Sequence, residues 1–347
     1  MNKSGIIYII LVVILSFNGS LNAQDYKQGD YLVMFYNVEN LFDTINAPNK
    51  NDKEFTPDGR KNWTHQRYSK KVRDIAKVID AIGGDQPADL IGLAEIENRE
   101  VLERLVEHKT LSSYGYEIIH FESPDERGID VALLYRESTI KKLSAEKIKV
   151  EFPWDPKDKT RDILYAKVHL DKQPLHVFVN HWSSRGGGVG KTAPKRMRSA
   201  ALVRKEVDKI LDTNPKANIV VMGDLNDEPE NLSVKRILYA NEKKESECKS
   251  LYNMSWEPYK KGLGTYHYWR NNEWNMIDQV IISRSLLNKK YSGLKVTENV
   301  QGIFKPDWIL HKNEDGVKVP DKTFGRNYYG GYSDHLPVYI YIDRGND

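Results

Sequence analysis

The sequence has very little cysteine and very little net charge. Cys248 is the only cysteine among 347 residues, so the chain forms no internal disulfide and offers no thiolate cluster for a metal. Basic and acidic residues nearly cancel, leaving a formal net charge of +3. A strongly basic surface of the kind that binds nucleic acid is therefore excluded, and an anionic substrate must be met by a local patch.

The sequence also lacks an apolar run long enough to span a bilayer comfortably. The apolar run Ile6–Leu15 follows Lys3 and precedes small and polar residues that end at Ala23. This arrangement is typical of a secretory signal peptide, with an uncleaved N-terminal anchor as the alternative. We therefore expect residues 1–23 to be a signal peptide and residues 24–347 to form one domain. The mature chain is expected to be a secreted or periplasmic monomer without a transmembrane segment.

Apolar runs and helical patterns alternate along the chain, without a repeat or a linker that would separate two domains. We expect helices near residues 68–82, 101–108, 194–211 and 232–239. Strands are expected near residues 31–36, 90–94, 116–121, 131–135, 163–170, 175–179, 219–222, 277–282 and 336–342. Hairpins alternate with crossover helices, which predicts an α+β fold of two packed mixed sheets with helices outside. The basic residues of the first helix (Lys70, Lys71, Arg73 and Lys77) are expected to form a solvated face, with a binding surface as the alternative.

The stretch Asn218–Pro229 suggests where a site lies. Ile219–Met222 is a buried strand, and Gly223 allows a sharp turn at which Asp224 and Asn226 emerge. In open α/β sheets, ligands bind where strand ends converge. Other apolar runs begin or end with similar polar side chains, so we expect one site that contains Asn37, Glu95, Asp130, His181, Asp224, Asn226, Asp278, Asp334 and His335.

These side chains offer oxygen and imidazole ligands without sulphur, which favours a hard cation such as Mg²⁺ over zinc; Mn²⁺ and Ca²⁺ are alternatives. A divalent ion with open positions suits hydrolysis of a phosphate ester. Neighbouring residues on a strand point to opposite faces, so Asp278 rather than Asp334 is expected to orient His335. His181 needs a similar partner, and Asp130 is the candidate.

The segment that follows His181 is basic and rich in glycine. Gly186–Thr192 resembles a phosphate-binding P-loop, but Arg185 replaces the first glycine of that motif. We expect a flexible basic loop in which Arg185, Arg196 and Arg198 contact a phosphodiester backbone, with a solvated loop as the alternative. Aromatic residues in Gly262–Trp269 either stack on bases or pack under a loop.

The order of these motifs resembles the endonuclease/exonuclease/phosphatase superfamily of deoxyribonuclease I-like enzymes, from about Asp30 to the C-terminus. The resemblance rests on Phe35–Asn40, Leu93–Glu97, Asn180-His181, Gly223–Asn226, Ile277–Val280 and Ser333–Pro337. It implies a four-layer α/β/β/α sandwich. All the motif residues are present, which argues against an inactive binding module.

The resemblance also implies a role for each position. Glu95 is expected to be the principal Mg²⁺ ligand, supported directly or through water by Asn37 and Asp334. Asp224 is expected to orient or deprotonate water, and Asn226 to hold that group or a phosphate oxygen. His335, oriented by Asp278, is expected to polarise the phosphate or act as a base, and His181 to protonate the leaving oxygen. We therefore expect an exported endonuclease that cleaves DNA or RNA, with a phosphatase or a lipid phosphodiesterase as alternatives.

Overall fold

The computed structural model describes residues 30–242, 249–288 and 293–343, so the predicted signal peptide and Cys248 lie outside the described residues. The α-helices are α1 (His65–Gly83), α2 (Arg99–Val106), α3 (Val189–Thr213) and α4 (Trp256–Lys260). The strands are β1 (Tyr31–Leu41), β2 (Leu90–Ile96), β3 (Tyr116–His120), β4 (Asp130–Arg136), β5 (Ile140–Ile148), β6 (Ile163–Leu170), β7 (Gln173–His181), β8 (Asn218–Asp224), β9 (Ala240–Asn241), β10 (Leu251–Asn253), β11 (Tyr266–Tyr268), β12 (Glu273–Asn275), β13 (Asp278–Ser283), β14 (Lys295–Val296), β15 (Gly302–Ile303), β16 (Leu310–Lys312), β17 (Lys318–Pro320) and β18 (Val338–Asp343).

Most of these strands belong to two mixed sheets. The first sheet has the order β14-β18-β1-β2-β4-β3, with β15 also beside β18, and the second has the order β5-β6-β7-β8-β13-β10-β9. Strands β1 and β2 are parallel, as are β7 and β8, whereas β13 runs antiparallel to β8. Two small hairpins, β11–β12 and β16–β17, lie outside these sheets.

The side chains of the two sheets alternate between an inner and an outer face. Phe35 and Leu133 of the first sheet pack between the sheets against Val177, Val220 and similar residues of the second. On the outer faces, α1 and α2 cover the first sheet and α3 covers the second. This arrangement confirms the expected α/β/β/α sandwich, in which period-two alternation places one set of side chains in each layer.

Helix α1 follows the predicted pattern at both ends. Thr64 Oγ1 accepts a hydrogen bond from Arg67 N at 3.4 Å, and Gly84 follows the last turn with φ of +60°. Its basic face differs from the prediction, because Lys71 is only 2% exposed. The segment around Thr323 and Tyr332 covers Lys71, so this lysine is not part of a solvated face.

Three other elements differ from the predictions. Helix α3 begins at Val189 instead of near Pro194, so most of the expected flexible basic loop is helical. Strand β5 was not predicted, because an edge strand rich in lysine and glutamate lacks a strong hydrophobic pattern. The expected helix at residues 232–239 is a short π-helical turn at Ser233–Ile237. Within the described part of the chain, none of the helices is both long and apolar enough to cross a membrane.

Candidate active site

The sheet register gathers polar side chains at one edge of the sandwich. In the second sheet, His181 pairs with Asp224, and Asp224 pairs with Asp278 across the next strand. In the first sheet, Asn37 lies opposite Ala94, directly before Glu95. The last strand, β18, runs antiparallel to β1 and therefore starts at this same edge, just after His335. Hydrogen bonds and ion-pair distances then link side chains from both sheets.

His335 and Asp278 form a buried pair at the centre of the site. His335 Nδ1 lies 2.8 Å from Asp278 Oδ2, which is the pairing that the sequence predicted. Burial opposes a charged imidazole, but the carboxylates of Asp278 and Asp224 outweigh this effect and raise the pKa of His335 well above its usual value. His335 is therefore an imidazolium at neutral pH in this arrangement, with Nε2 directed away from Asp278.

Asp224 is held by several hydrogen bonds and faces both histidines. Its carboxylate accepts from Asn37 Nδ2 at 3.0 Å and from Asn226 N at 2.9 Å. Asp224 Oδ2 lies 3.5 Å from His181 Nε2 and 3.8 Å from His335 Nε2. Burial raises the pKa of Asp224 to about 7, against the opposing effect of His335 and with a further increase from Asp278. A carboxyl group with a pKa near 7 is suited to accept a proton at neutral pH.

Glu95 lies at an irregularity in β2 and has one oxygen directed towards the site. Its φ of +65° falls in a region that non-glycine residues rarely adopt, and Asn226 has a similar φ of +49°. Glu95 Oε2 accepts from Asn40 N at 2.9 Å. Glu95 Oε1 lies 3.8 Å from His181 Nε2 and 4.0 Å from Arg127 Nη2. Strain of this kind is common where the backbone must place a functional side chain.

The donor groups around Glu95 fit a divalent cation. The Asp334 side chain is 33% exposed, and Oδ1 lies 3.8 Å from His335 Nε2. Asp224, Asp278 and His335 also bring ligand-type atoms within 4.8 Å of one another. The carboxylates of Glu95 and Asp334 supply the oxygen donors that a hard cation prefers. Asn37 has a different contact pattern: Oδ1 accepts from Glu39 N at 3.0 Å, while Nδ2 is assigned to Asp224, so the Asn37 amide orients Asp224.

His181 is buried and neutral. Burial, followed by the positive charges of Arg161 and Arg127, holds its pKa well below the usual value. His181 Nδ1 finds no hydrogen-bond partner among the described residues. Asp130 was the predicted partner of His181, and the structure contradicts that pairing.

Asp130 instead belongs to a neighbouring set of contacts. Its carboxylate lies 3.1 Å from His120 Nε2 and accepts from Ser123 N at 2.8 Å. Both of its oxygens therefore bond to the end of β3 and to the segment that follows it. The sequence located Asp130 at the start of β4 correctly, but residues distant in the chain decide which histidine it meets.

Arg185 and Arg196 are bound within the protein rather than presented to a substrate. Arg185 Nε donates to Asn226 O at 2.7 Å, which fixes the loop that carries Asn226. Arg196 is fully buried, with Nε 2.7 Å from Asp227 Oδ1. The prediction that Arg196 contacts a phosphodiester backbone is therefore wrong, because α3 turns this side chain into the protein.

Arg198 lies on a different side of α3. Arg198 Nε donates to Glu151 O at 3.1 Å, and the residue lines a cavity next to the β5–β6 connection. That cavity also contains Lys149, Lys159 and several carboxylates, so its charges are mixed. The three predicted arginines thus do not form one basic loop beside His181.

Two residues near the centre were not predicted as site residues. Tyr266, on β11, has its ring centroid 5.0 Å from that of His335, and burial and Asp334 raise the pKa of Tyr266. Arg127, in the turn before β4, is half exposed and approaches Glu95. The aromatic composition of Gly262–Trp269 indicated that Tyr266 could contact a substrate. A single arginine in a turn, such as Arg127, gives no such indication in the sequence.

Comparison with known proteins gives one family and several related folds. The sequence profile of the group described as "Endonuclease/Exonuclease/phosphatase family" matches residues 32–344. No curated protein matches the chain.

Solved structures share the fold at low sequence identity. Human Nocturnin, as a catalytic domain with bound sulfate, is 17% identical, with a TM-score of 0.55 over 90% of this chain and 94% of that one. TDP2 of D. rerio, in complex with a single-strand DNA product, is 16% identical, with a TM-score of 0.55 over 91% of this chain and 99% of that one. A mannosyl-6-phosphatase of Bacteroides thetaiotaomicron is 16% identical, with a TM-score of 0.55 over 90% and 99%.

Proposed function

Because the chain belongs to the endonuclease/exonuclease/phosphatase family, we propose that it is a Mg²⁺-dependent phosphodiesterase that hydrolyses DNA or RNA. The observation that carries this proposal is the group formed by Asp224, Asp278 and His335. It combines a carboxyl group whose pKa is about 7 with an imidazolium held by a second carboxylate. Hydrolysis at phosphorus needs a proton acceptor for water and a positive charge for the phosphoryl oxygens, and this group offers both.

The protein groups have separate tasks in the proposed reaction. Asp224 accepts a proton from the attacking water, in an orientation fixed by the Asn37 amide and Asn226 N. Imidazolium His335 donates to a non-bridging phosphate oxygen through Nε2, and Asp278 keeps the ring charged and correctly turned. When bound at Glu95 and Asp334, Mg²⁺ would neutralise phosphoryl charge and stabilise the leaving oxygen.

His181 has a narrower task than the sequence predicted. A neutral imidazole with a depressed pKa is a poor source of a full proton at neutral pH. Its Nε2 lies 3.8 Å from Glu95 Oε1 and 3.5 Å from Asp224 Oδ2, so its single N–H is close to the groups that act on the phosphate. We therefore assign His181 to hydrogen bonding at the leaving oxygen, with the proton finally supplied by water.

The choice of nucleic acid as substrate rests on a small number of observations. A second histidine at the position of His181 resembles the deoxyribonuclease and phosphodiesterase branches of the family. Half-exposed Arg127 beside Glu95 offers a cation for a phosphate. TDP2, which shares the fold, was solved with a DNA product. We also propose export of the mature chain, on the basis of the N-terminal pattern Lys3–Ala23.

A phosphomonoesterase is the second candidate, because Arg185 and Arg196 are engaged by protein groups. Without these two arginines, the surface beside the site offers fewer positive charges to bind the backbone of a nucleic acid. A short phosphorylated substrate would need only the cations next to Glu95. The mannosyl-6-phosphatase with the same fold is compatible with this alternative.

A hydrolysis assay of residues 24–347 distinguishes these candidates. Plasmid DNA, RNA, a phosphomonoester and sphingomyelin are incubated with Mg²⁺, Mn²⁺, Ca²⁺ or chelator, with His335→Ala as the matched inactive control. Chelator-sensitive cleavage of nucleic acid that disappears in His335→Ala supports the proposal. Hydrolysis of the phosphomonoester or sphingomyelin alone would show that nucleic acid is not the substrate, but it would leave the assignment of the catalytic site intact. Equal rates for the wild type and His335→Ala would overturn the mechanism.

A further inference from the structure

Two buried charged residues near the active site have no task in the reaction proposed above. Lys71 on α1 is 2% exposed, and Glu39 on β1 is 4% exposed. Lys71 Nζ donates to Thr323 Oγ1 at 2.5 Å and to Tyr332 O at 2.6 Å. The Glu39 carboxylate accepts from Thr323 N at 2.6 Å and from Phe324 N at 2.9 Å. Both residues therefore act on the same segment.

We call this segment, Asp321–Ser333, the strap. Its two arms lie side by side, because Asp321 O accepts from Tyr332 N at 2.5 Å and Thr323 O accepts from Tyr329 N at 2.9 Å. Glu39 binds the first arm only. Lys71 joins the first arm to the second, through the side chain of Thr323 and the carbonyl of Tyr332.

The strap leads directly into Asp334 and His335. At its end, Ser333 Oγ donates to Asn37 O at 2.7 Å and accepts from His335 N at 3.1 Å. The side chain of Asn37 is also held, because its Oδ1 accepts a hydrogen bond from Glu39 N at 3.0 Å. The strap, the Asn37 segment and the start of the His335 segment are thus joined by consecutive hydrogen bonds.

Stability alone does not account for two charges in this position. Burial of a charged side chain costs desolvation energy, and an apolar side chain of similar volume avoids this cost. A methionine at position 71 would fill the space without that cost. The charges do provide directional hydrogen bonds to backbone groups, which apolar side chains cannot give.

We propose that Glu39 and Lys71 are positioning residues, which hold the strap so that Asp334 and His335 keep their places beside Asp224 and Glu95. The effect on catalysis rests on the proposed function, whereas the effect on the strap does not. Neither residue touches the reacting atoms in this account. Their loss should therefore reduce turnover and metal affinity more than substrate affinity.

Lys71→Met tests the second arm, with Lys77→Met as the matched control. Lys77 lies on the same helix and its Nζ is 4.1 Å from the Trp308 ring centroid, but its contact with the strap is with the Tyr332 side chain. We expect kcat of Lys71→Met to fall about 10–100-fold with KM within about threefold, as for other residues that orient ligands. Lys77→Met should keep both constants within about twofold.

Thr323→Val removes one of the two oxygens that Lys71 binds and completes a double-mutant cycle. If Lys71 acts through the strap, the two changes together should cost less than the sum of the separate losses. Glu39→Gln keeps one accepting oxygen and should lose less activity than Glu39→Ala. Additive losses in the cycle, or equal losses in the two Glu39 variants, would contradict the positioning role.

Two readouts do not depend on the substrate. Hydrogen exchange of the peptide that contains residues 321–335 should accelerate at least about tenfold in Lys71→Met, and the calorimetric Kd for Mn²⁺ should rise about 10–100-fold. If the wild type cleaves no tested phosphodiester, the proposed function fails and these readouts still decide the inference. Unchanged exchange and unchanged Mn²⁺ affinity in a folded Lys71→Met protein would overturn it.

Discussion

Asp278→Asn should remove the positive charge of His335 while leaving the shape of the site nearly unchanged. Asp278 is fully buried and its Oδ2 lies 2.8 Å from His335 Nδ1. An asparagine fills the same space, but it cannot balance an imidazolium. Burial then lowers the pKa of His335 against the weaker attraction that Asp224 and Asp334 still provide.

The size of the change follows from the energetics of buried pairs. Loss of one partner of a buried, hydrogen-bonded ion pair costs about 3–5 kcal/mol, and each pKa unit corresponds to about 1.4 kcal/mol. The pKa of His335 should therefore fall by about 2–4 units, so that the ring loses its proton at a lower pH than in the wild type. We expect kcat at pH 7 to fall by about 10²–10⁴, the usual cost of losing a positioned proton-transfer group.

The assay is a pH–rate profile of the phosphoester that the wild type cleaves. In the wild type, the rate should rise through about pH 7, as Asp224 loses its proton. The rate should fall only at alkaline pH, because the pKa of His335 is raised and its charge persists to that range. In Asp278→Asn, the alkaline fall should move to lower pH by about 2–4 units, in line with the energy above.

Asp89→Asn is the matched control for this experiment. Asp89 is a buried carboxylate that accepts from Leu32 N at 2.9 Å and pairs with Arg136, at the opposite end of β2 from Glu95. Its variant should lose stability but keep the wild-type profile. If Asp278→Asn keeps its rate within about fivefold and its alkaline limb in place, the imidazolium has no part in the reaction.

Three further predictions concern other parts of the molecule. Arg196→Met should lower the free energy of unfolding, measured by urea denaturation, by about 3–5 kcal/mol, because Asp227 loses its buried partner. The same variant should not change how steeply polynucleotide binding weakens with salt, and a shallower dependence would show that Arg196 contacts phosphate. Glu95→Gln should raise the half-saturating Mg²⁺ concentration at least about tenfold, and an unchanged titration would remove Glu95 from the metal site. Burial lowers the pKa of His176 from 6.5 to about 4. The unfolded chain therefore binds the proton first, and wild-type stability should fall between about pH 6.5 and 4, by about 1–2 kcal/mol after allowance for solvent screening. Denaturation of His176→Gln should show a flatter pH dependence in that window, and an unchanged slope would rule out His176 as its source.

Local patterns in the sequence predicted those features that local physics determines. The strand Ile163–Leu170 has the predicted bounds, because period-two alternation fixes which side chains enter the core. The His335–Asp278 pairing is also as predicted, although the expectation that Asp334 and His335 alternate on a strand is not met, because β18 begins only at Val338.

Features decided by distant contacts were not predicted. Lys71 is buried by Thr323, which is 252 residues away in the chain. Lys71 lies at helical spacing from Ile75 and Val78, so the pattern places it within the apolar stripe. The pattern contains no information about which groups hydrogen-bond to its ammonium. Asp130 illustrates the same limit, because its choice of His120 over His181 depends on how the β3–β4 connection folds.

Arg196 was missed for a different reason, since a signal was present. Residues 196, 200, 203 and 207 follow the spacing of one helical face, and Ala200, Val203 and Val207 are fully buried. The predicted helix at residues 194–211 already contains these four positions, so its periodicity places Arg196 on the buried face. Glycine and Pro194 favoured a later start, because a proline beyond the first turn removes a backbone hydrogen bond. Helix α3 nevertheless contains Pro194 as its sixth residue. Because the segment is basic, Arg196 was then assigned to the exposed side of α3 instead of the buried side.

The two histidines of the site show why residue type alone does not assign a chemical role. His335 and His181 both lie at strand ends and are similarly buried, at 7% and 4% exposure. His335 faces Asp278 and Asp224, which favour its proton, whereas Arg161 and Arg127 disfavour a proton on His181. Their pKa values therefore move in opposite directions from the same starting value. One histidine therefore supplies a positive charge and the other a neutral hydrogen-bonding ring. The pH at which the rate falls on the alkaline side should shift when Asp278 is replaced and should stay the same when Arg161 is replaced.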